Sequence, residues 1–238
     1  MSLSSPTPKP APRPGPETQA TGYYAHTRPE MLAYFTQSPG RVLDVGCGQG
    51  SFGASLKAQH PQAEVWGVEP MAPAARSAAQ VLDHVCVGNF DTGLQLPERS
   101  FDAVVFNDSL EHLPDTVAAL ALTRRLLKPG GRLVASIPNV RYWPHLKRYL
   151  FQGDWKYEDE GILDRTHLRF FTCRSIRRTL VEAGFEVQSI TGITPCWRGF
   201  RQSLAKALLP SGAQDILYLQ FAVVAGPGPA PGSGDASL

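Results

Sequence analysis

The sequence predicts a doubly wound α/β fold, and three observations carry that prediction. Short β-branched runs alternate with helical stretches through the first 140 residues. The runs are apolar almost throughout, and the first leads into a glycine-rich turn. Near-continuous apolar strands are buried on both faces, as in a parallel sheet covered by crossover helices. Ligands of such a sheet sit beyond the carboxyl ends of its strands.

In chain order, the predicted strands are "RVLDVG" (41–46), "AEVWGVE" (63–69), "HVCVG" (84–88), "DAVVFN" (102–107) and "RLVASIP" (132–138). Helices are expected over 50–59, 72–80 and 115–128, the third introduced by Pro114 and Asp115 and stopped by Gly130 and Gly131. After Pro138 the pattern changes. The stretch over 139–166 is aromatic and charged without a clean period, and reads as an inserted lid. "THLRFF" offers a short strand-like run, and Thr172 caps a helix with the stripe Ile176, Leu180 and Val181, which Gly184 ends. "FEVQSITGI" and "DILYLQFAVVA" read as an antiparallel closing pair. Between them Trp197, Phe200, Leu204 and Leu208 share one helical face, with Arg198, Arg201 and Lys206 off it. That stripe is expected to pack on the body, contact with a membrane or the acceptor being the alternatives.

Composition fits one domain with a sizeable core: 238 residues, 42% hydrophobic and 18% charged. Residues 1–21 and 227–238 are rich in Pro, Ser, Thr and Gly and read as disordered tails, leaving 22–226 as the globular part. No run approaches the roughly 20 apolar residues of a membrane span, and the start lacks a secretory h-region, so a cytoplasmic protein is expected. The four cysteines are scattered, which predicts reduced thiols, and no metal-ligand spacing is visible. From Arg124 to Lys206 there are 16 Lys/Arg against 7 Asp/Glu; the rest of the chain has 7 against 14. Either the late helices expose solvated basic faces, or this half attracts something anionic, such as a phosphorylated acceptor or a membrane surface.

The stretch "DVGCGQGSFG" (44–53) fits two cofactor templates. From Gly48 it reads G-x-G-x-x-G, a dinucleotide fingerprint; from Asp44 it reads D-x-G-x-G-x-G. An acid ending strand two, Glu69, serves the ribose hydroxyls of either cofactor. Register breaks the tie. The tight turn must use Gly46 and Gly48, and counted from Gly46 the third dinucleotide glycine falls on Ser51. Asp44 would also repel a pyrophosphate, and suits a phosphate-free cofactor carrying an ammonium. "VGNFD" (87–91) ends strand three with polar groups where an adenine edge would lie.

On these residues the sequence resembles the class I S-adenosylmethionine-dependent methyltransferases. "VLDVGCGQG", "VWGVEP", "FDAVVFNDSLEHLPD" and "LLKPGGRLVASIPN" match four of their motifs in order, over about Tyr23 to Val187. The resemblance implies a Rossmann-like, seven-stranded sheet of order 3-2-1-4-5-7-6 with the last strand antiparallel. It implies S-adenosyl-L-methionine as cofactor, with Asp44, Gly46, Cys47 and Gly48 at its methionine part. Glu69, Pro70 and Met71 would lie at the ribose and adenine, Asn89 and Phe90 at the adenine, and Asn107 at the end of strand four. "GYYAHTRPEM" resembles an arm that folds over the cofactor in a subset of the family. Tyr24 and Arg28 are its candidates, Arg28 for a carboxylate; a segment packing at the domain edge is the alternative.

Methyl transfer requires an oriented acceptor, and a hydroxyl acceptor requires a base. His112, following strand four, is the first candidate, with a pocket-wall role as the alternative. "DEGILDRTHLRFFT" (159–172) resembles a block of a bacterial branch linked to sugar- and quinone-modifying pathways. There His167 is a second candidate base, and Arg165 and Arg169, with Tyr142 and Trp143 of the aromatic lid, are candidate acceptor contacts. An ion-pair lock of Asp164 with Arg165 or Arg169 is the competing use. The expected partner is a small-molecule acceptor, anionic or sugar- or quinone-like, methylated on oxygen by a monomer or homodimer. An RNA or protein methyltransferase and a non-catalytic cofactor binder are the competing functions. The first is weakened because Asn107, Asp108, Ser109 and Leu110 stand where base-amino methylation favours N/D-P-P-Y/F.

Overall fold

The computed structural model describes residues 27–228. A short helix α1 (Pro29–Leu32) precedes β1 (Arg41–Val45), α2 (Ser51–Gln59), β2 (Glu64–Glu69), α3 (Ala72–Ala78), β3 (His84–Val87) and β4 (Phe101–Asn107). A 3₁₀ turn (Leu110–His112) leads to α4 (Thr116–Leu126), β5 (Leu127–Pro138) and α5 (Trp143–Gln152). The chain closes with α6 (Cys173–Glu182), β6 (Phe185–Pro195), α7 (Phe200–Leu208), a second 3₁₀ segment (Ser211–Leu217) and β7 (Tyr218–Pro227).

All seven strands form one sheet in the order β3-β2-β1-β4-β5-β7-β6. The pairs from β3 to β5 are parallel, and β7 runs antiparallel to both β5 and β6. This is the order implied by the resemblance. Phe101, Phe106, Leu120 and Leu133 fill one core cluster, and Met31, Phe35, Leu56 and Val65 fill the other. Two layers of helices therefore bury the apolar strands, and the turns at the strands' carboxyl ends are left to build a site.

Several expectations are corrected. The helix expected over 115–128 ends at Leu126, because Lys128 precedes Pro129 and is driven out of the helical region. Gly130 and Gly131 then lie inside β5 rather than after a helix. "THLRFF" forms no strand: the amides of Leu168 and Arg169 donate to the Glu111 carbonyl at 3.0 and 3.2 Å, and only Phe171 bridges to Asn139. In α6 the buried stripe is Ile176 and Leu180; Val181, five residues from Ile176, is turned off that face and exposed. The α7 stripe does not pack on the body. Phe200 is 80% and Leu208 74% exposed, and the helix contributes no buried residue. Among the described residues no helix is long and apolar enough to cross a membrane.

Candidate active site

The turns after β1, β2 and β4 enclose a cavity of about 660 Å³. Its floor follows from the glycines. Gly46 has φ +75, and a Cβ there would stand 2.9 Å from the Ser109 Cβ, so the turn after β1 passes directly against the turn after β4. The Gly46 and Cys47 amides donate to the Val68 carbonyl at 2.8 and 3.1 Å, which holds the turn to β2. Gly50, with φ +83, caps α2, and Gly53 lies within that helix. At Gly53 a Cβ would stand 2.9 Å from Val65 Cγ1 and closer still to Leu82, so this glycine serves helix–sheet packing. The dinucleotide register is therefore a coincidence of spacing.

Two buried acids face this floor. Glu69 accepts from the Gly48 amide and the Met71 amide, both at 2.9 Å, which fixes its carboxylate; burial raises its pKa. Asp44 is 2% exposed with Oδ1 unpartnered, and burial, followed by the Glu69 charge, pushes its pKa up to about 7. Neither polar side-chain atom of Asn107 has a partner. Pro70, Met71, Asn89, Phe90 and Cys47 complete this end of the wall, and Met71 is 47% exposed, so it is no core methionine. Burial pushes the Cys47 thiol up, which leaves it an inert wall.

Arg28 also lines the cavity, in the left-handed region at φ 46. Its guanidinium pairs with Asp108 and donates to Gln220 Oε1 at 3.3 Å; Gln220 and Ser136 donate in turn to Asp108 at 2.7 and 2.8 Å. The carboxylate expected for Arg28 is thus supplied here by Asp108. Tyr24 lies outside the described residues.

The opposite wall joins the turn after β4 to the block 160–167. His112 and His167 stand with ring centroids 4.6 Å apart, in T-shaped contact. His112 Nδ1 lies 3.2 Å from the Thr166 carbonyl, and His167 Nδ1 lies 3.0 Å from the Ile162 carbonyl. Each contact places a proton on Nδ1 of the neutral ring. Burial lowers both pKa values, and His167 lowers that of His112 further.

The acceptor contacts expected of Tyr142, Trp143, Arg165 and Arg169 are not brought to the cavity wall. Arg165 pairs with Asp159, and Arg169 donates to the carbonyls of Leu113 (2.6 Å) and Pro114 (2.8 Å). The expected lock is absent for the same reason. Asp164 instead accepts from the Thr166 amide and hydroxyl, at 2.7 and 2.6 Å. Arg169 is a structural clamp between the two halves of this wall.

A methyltransferase-domain family profile matches residues 17–190. The chain belongs to that family. This methyltransferase is 32% identical over 215 residues to a methyltransferase of Schizosaccharomyces pombe, spanning 82% of this chain and 76% of that one. It is 29% identical over 216 residues to a ubiquinone biosynthesis O-methyltransferase of Xanthomonas euvesicatoria, spanning 84% and 80%. A SAM-dependent methyltransferase from Archaeoglobus fulgidus shares the fold, with TM-score 0.64 at 19% identity over 88% of this chain and 96% of that chain. The two share the class I fold, and the cofactor of that neighbour is S-adenosylmethionine.

The cavity suits that cofactor. Buried polar atoms without partners at Asp44 and Asn107 stand beside a glycine turn that a side chain would block, and such atoms call for a polar ligand. One feature was not legible in the sequence. Glu111, 1% exposed, brings a carboxylate oxygen within 4.8 Å of the His112 and His167 nitrogens, a donor set able to hold a small cation. His167 lies 56 residues from Glu111 in the chain (167 − 111), so no local spacing announces the cluster.

Proposed function

We propose that this methyltransferase methylates a hydroxyl oxygen of a small molecule, with His112 or His167 receiving the hydroxyl proton. The observation that carries this reading is the pair of neutral imidazoles in one cavity wall beside the exit of β4. A neutral histidine with a lowered pKa holds its base form at pH 7. The O-methyltransferase name of the Xanthomonas relative supports oxygen as the acceptor atom.

When bound, the cofactor supplies an electrophilic methyl group on a sulfonium. The chain's own work is to orient, to exclude water and to move a proton. Asp44 offers a carboxylate to the cofactor's ammonium, Glu69 accepts from its ribose hydroxyls, and Asn89 and Phe90 border its adenine. Opposite them the histidine wall holds the acceptor hydroxyl, with the receiving nitrogen being Nε2, since Nδ1 of each ring is turned to a carbonyl. Sugar- and quinone-like acceptors both offer such a hydroxyl. Four free cysteines support a reducing, cytoplasmic setting.

The test pairs two variants with two readouts. His112→Ala and His167→Ala should each keep the Kd for S-adenosylhomocysteine by calorimetry. At least one should lower the rate of tritiated methyl transfer into a metabolite extract by about 10²-fold or more. Full turnover in both variants would remove histidine base catalysis from the reading.

A further inference from the structure

We infer that the acceptor carries a positively charged amine, which docks between Glu111 and His167. The inference rests on the methyl-transfer reading above for what enters the cavity, and it reverses the anionic acceptor that the basic half of the sequence suggested.

The first support is charge. Among the described residues, the cavity is lined by eight carboxyl side chains, one guanidinium and no lysine. The guanidinium, that of Arg28, is committed to Asp108. Arg165 and Arg169, the cations expected to bind an anionic acceptor, are held elsewhere by Asp159 and by backbone carbonyls. An anion entering this cavity would meet like charge with no available cation. An ammonium would meet complementary charge.

The second support is one particular carboxyl. Of the acids at the histidine end, Asp108 holds Arg28, Asp115 accepts from the Ala118 amide as the α4 cap, and Asp164 accepts from Thr166. Glu160 is exposed to water. Glu111 alone is both buried and without a hydrogen-bond partner at either oxygen. A buried carboxyl so placed is costly to ionise, and burial pushes its pKa up to about 8, so it keeps its proton until a cation completes it.

The third support is geometry. His167 Nδ1 faces the Ile162 carbonyl at 3.0 Å, so Nε2 of the neutral ring is an acceptor. That Nε2 stands 3.8 Å from Glu111 Oε1, too far for a hydrogen bond between them. Two acceptors thus lie side by side in one wall of the cavity. An ammonium, with three donors and no acceptor, satisfies both at once. With His167 holding the ammonium, His112 is left to receive the hydroxyl proton, and the acceptor's frame would extend from one ring to the other, so aminated sugars and amino alcohols are the fitting class.

The test sorts the product by charge. The full chain is incubated with tritiated S-adenosylmethionine and a small-molecule extract, half of which is first treated with an amine-selective acylating ester. After chromatographic removal of the unreacted cofactor, itself a cation, and subtraction of an enzyme-free control, labelled product should be retained by a cation exchanger at pH 7, and acylation should reduce it at least tenfold. Label on an anion exchanger, label in the neutral flow-through, or indifference to acylation would overturn the amine while leaving methyl transfer intact. No label in any fraction would overturn methyl transfer, and the amine with it. A divalent metal is the other cation these atoms could take. If chelation abolishes labelling and Mg²⁺ or Zn²⁺ restores it, the pair holds metal and the amine is overturned. Glu111→Gln should lower labelling of the cationic product at least tenfold with an unchanged Kd for S-adenosylhomocysteine, and the charge-preserving Glu111→Asp should recover part of the loss. Parental labelling by Glu111→Gln would overturn the inference; should that variant not fold, the acylation result decides alone.

Discussion

Glu69, which suits either cofactor template, and Gly53, which completes only the dinucleotide one, separate cleanly at the level of single residues. Glu69 accepts from two backbone amides of the cavity floor, those of Gly48 and Met71. Glu69→Ala therefore removes the proposed ribose acceptor and leaves both amides without it. The expected outcome is at least a tenfold weaker Kd for S-adenosylhomocysteine, in keeping with about 1.5–3 kcal/mol for hydrogen bonds to a charged group. An unchanged Kd by calorimetry would end the ribose assignment. Gly53 touches no part of the cavity wall, and its missing Cβ makes room for Val65 and Leu82. Gly53→Ala should lower stability by about 1–3 kcal/mol through overpacking, with cofactor affinity unaltered in the folded fraction. Urea denaturation and calorimetry on the same sample check the two halves of that statement. The acid at Glu111 shows the limit of such reading. In the sequence it is one more charged residue before His112, and only the return of the chain at His167 makes it a buried group.

Among the elements, legibility follows how local the cause is. The cap of α6 is local: Thr172 Oγ1 accepts from the Ser175 amide at 3.1 Å, and Ser175 Oγ accepts from the Thr172 amide at 2.8 Å. Thr172→Ala should cost about 1 kcal/mol, read as a lowered thermal midpoint. The end of α4 is also local, and Pro129, three residues after Leu126, was the better stop signal than the glycines beyond. The block 164–169 is not local. The Leu168 and Arg169 amides, the Arg169 guanidinium and the Thr166 hydroxyl all meet the turn after β4, so a segment that reads as strand or as free charge becomes a wall. The stripe on α7 is the reverse case, an apolar pattern left exposed among the described residues. Lys206 lies over the Tyr218 ring, and Gln214 donates to the carbonyls of Lys206 and Leu209. Replacing Phe200 and Leu208 together by Ser should change folding stability by no more than about 0.5 kcal/mol per site. A loss of about 2–5 kcal/mol in chemical denaturation would mean that the stripe packs after all.

At the scale of the molecule, the doubly wound sheet was legible because it depends on a repeated pattern, apolar runs alternating with helices, whereas the strand order came from the resemblance to the family. The cavity's charge was not legible. None of the cations of Arg124–Lys206 lines the cavity, whereas eight acids from the strand ends and the loops beyond them converge on it. This convergence has a measurable consequence. Asp44, raised from 3.8 to about 7, Glu111, raised to about 8, and Glu69, also raised, hold protons in the folded chain at pH values where the unfolded chain has released them. By linkage, stability of the cofactor-free chain should therefore fall as pH rises from about 4 to 8. An ammonium opposite Asp44 favours its ionised form, so cofactor binding and proton release are coupled. Saturating S-adenosylhomocysteine, which carries that ammonium, should accordingly raise the thermal midpoint more at pH 8 than at pH 5. In Asp44→Asn both effects shrink: the variant should be more heat-stable than the parent at pH 8 without ligand, and should show a weaker, nearly pH-independent ligand shift. An equal ligand shift at both pH values in the parent would place the cofactor's charge away from Asp44, and with it remove the reason why this acid is buried at the end of β1.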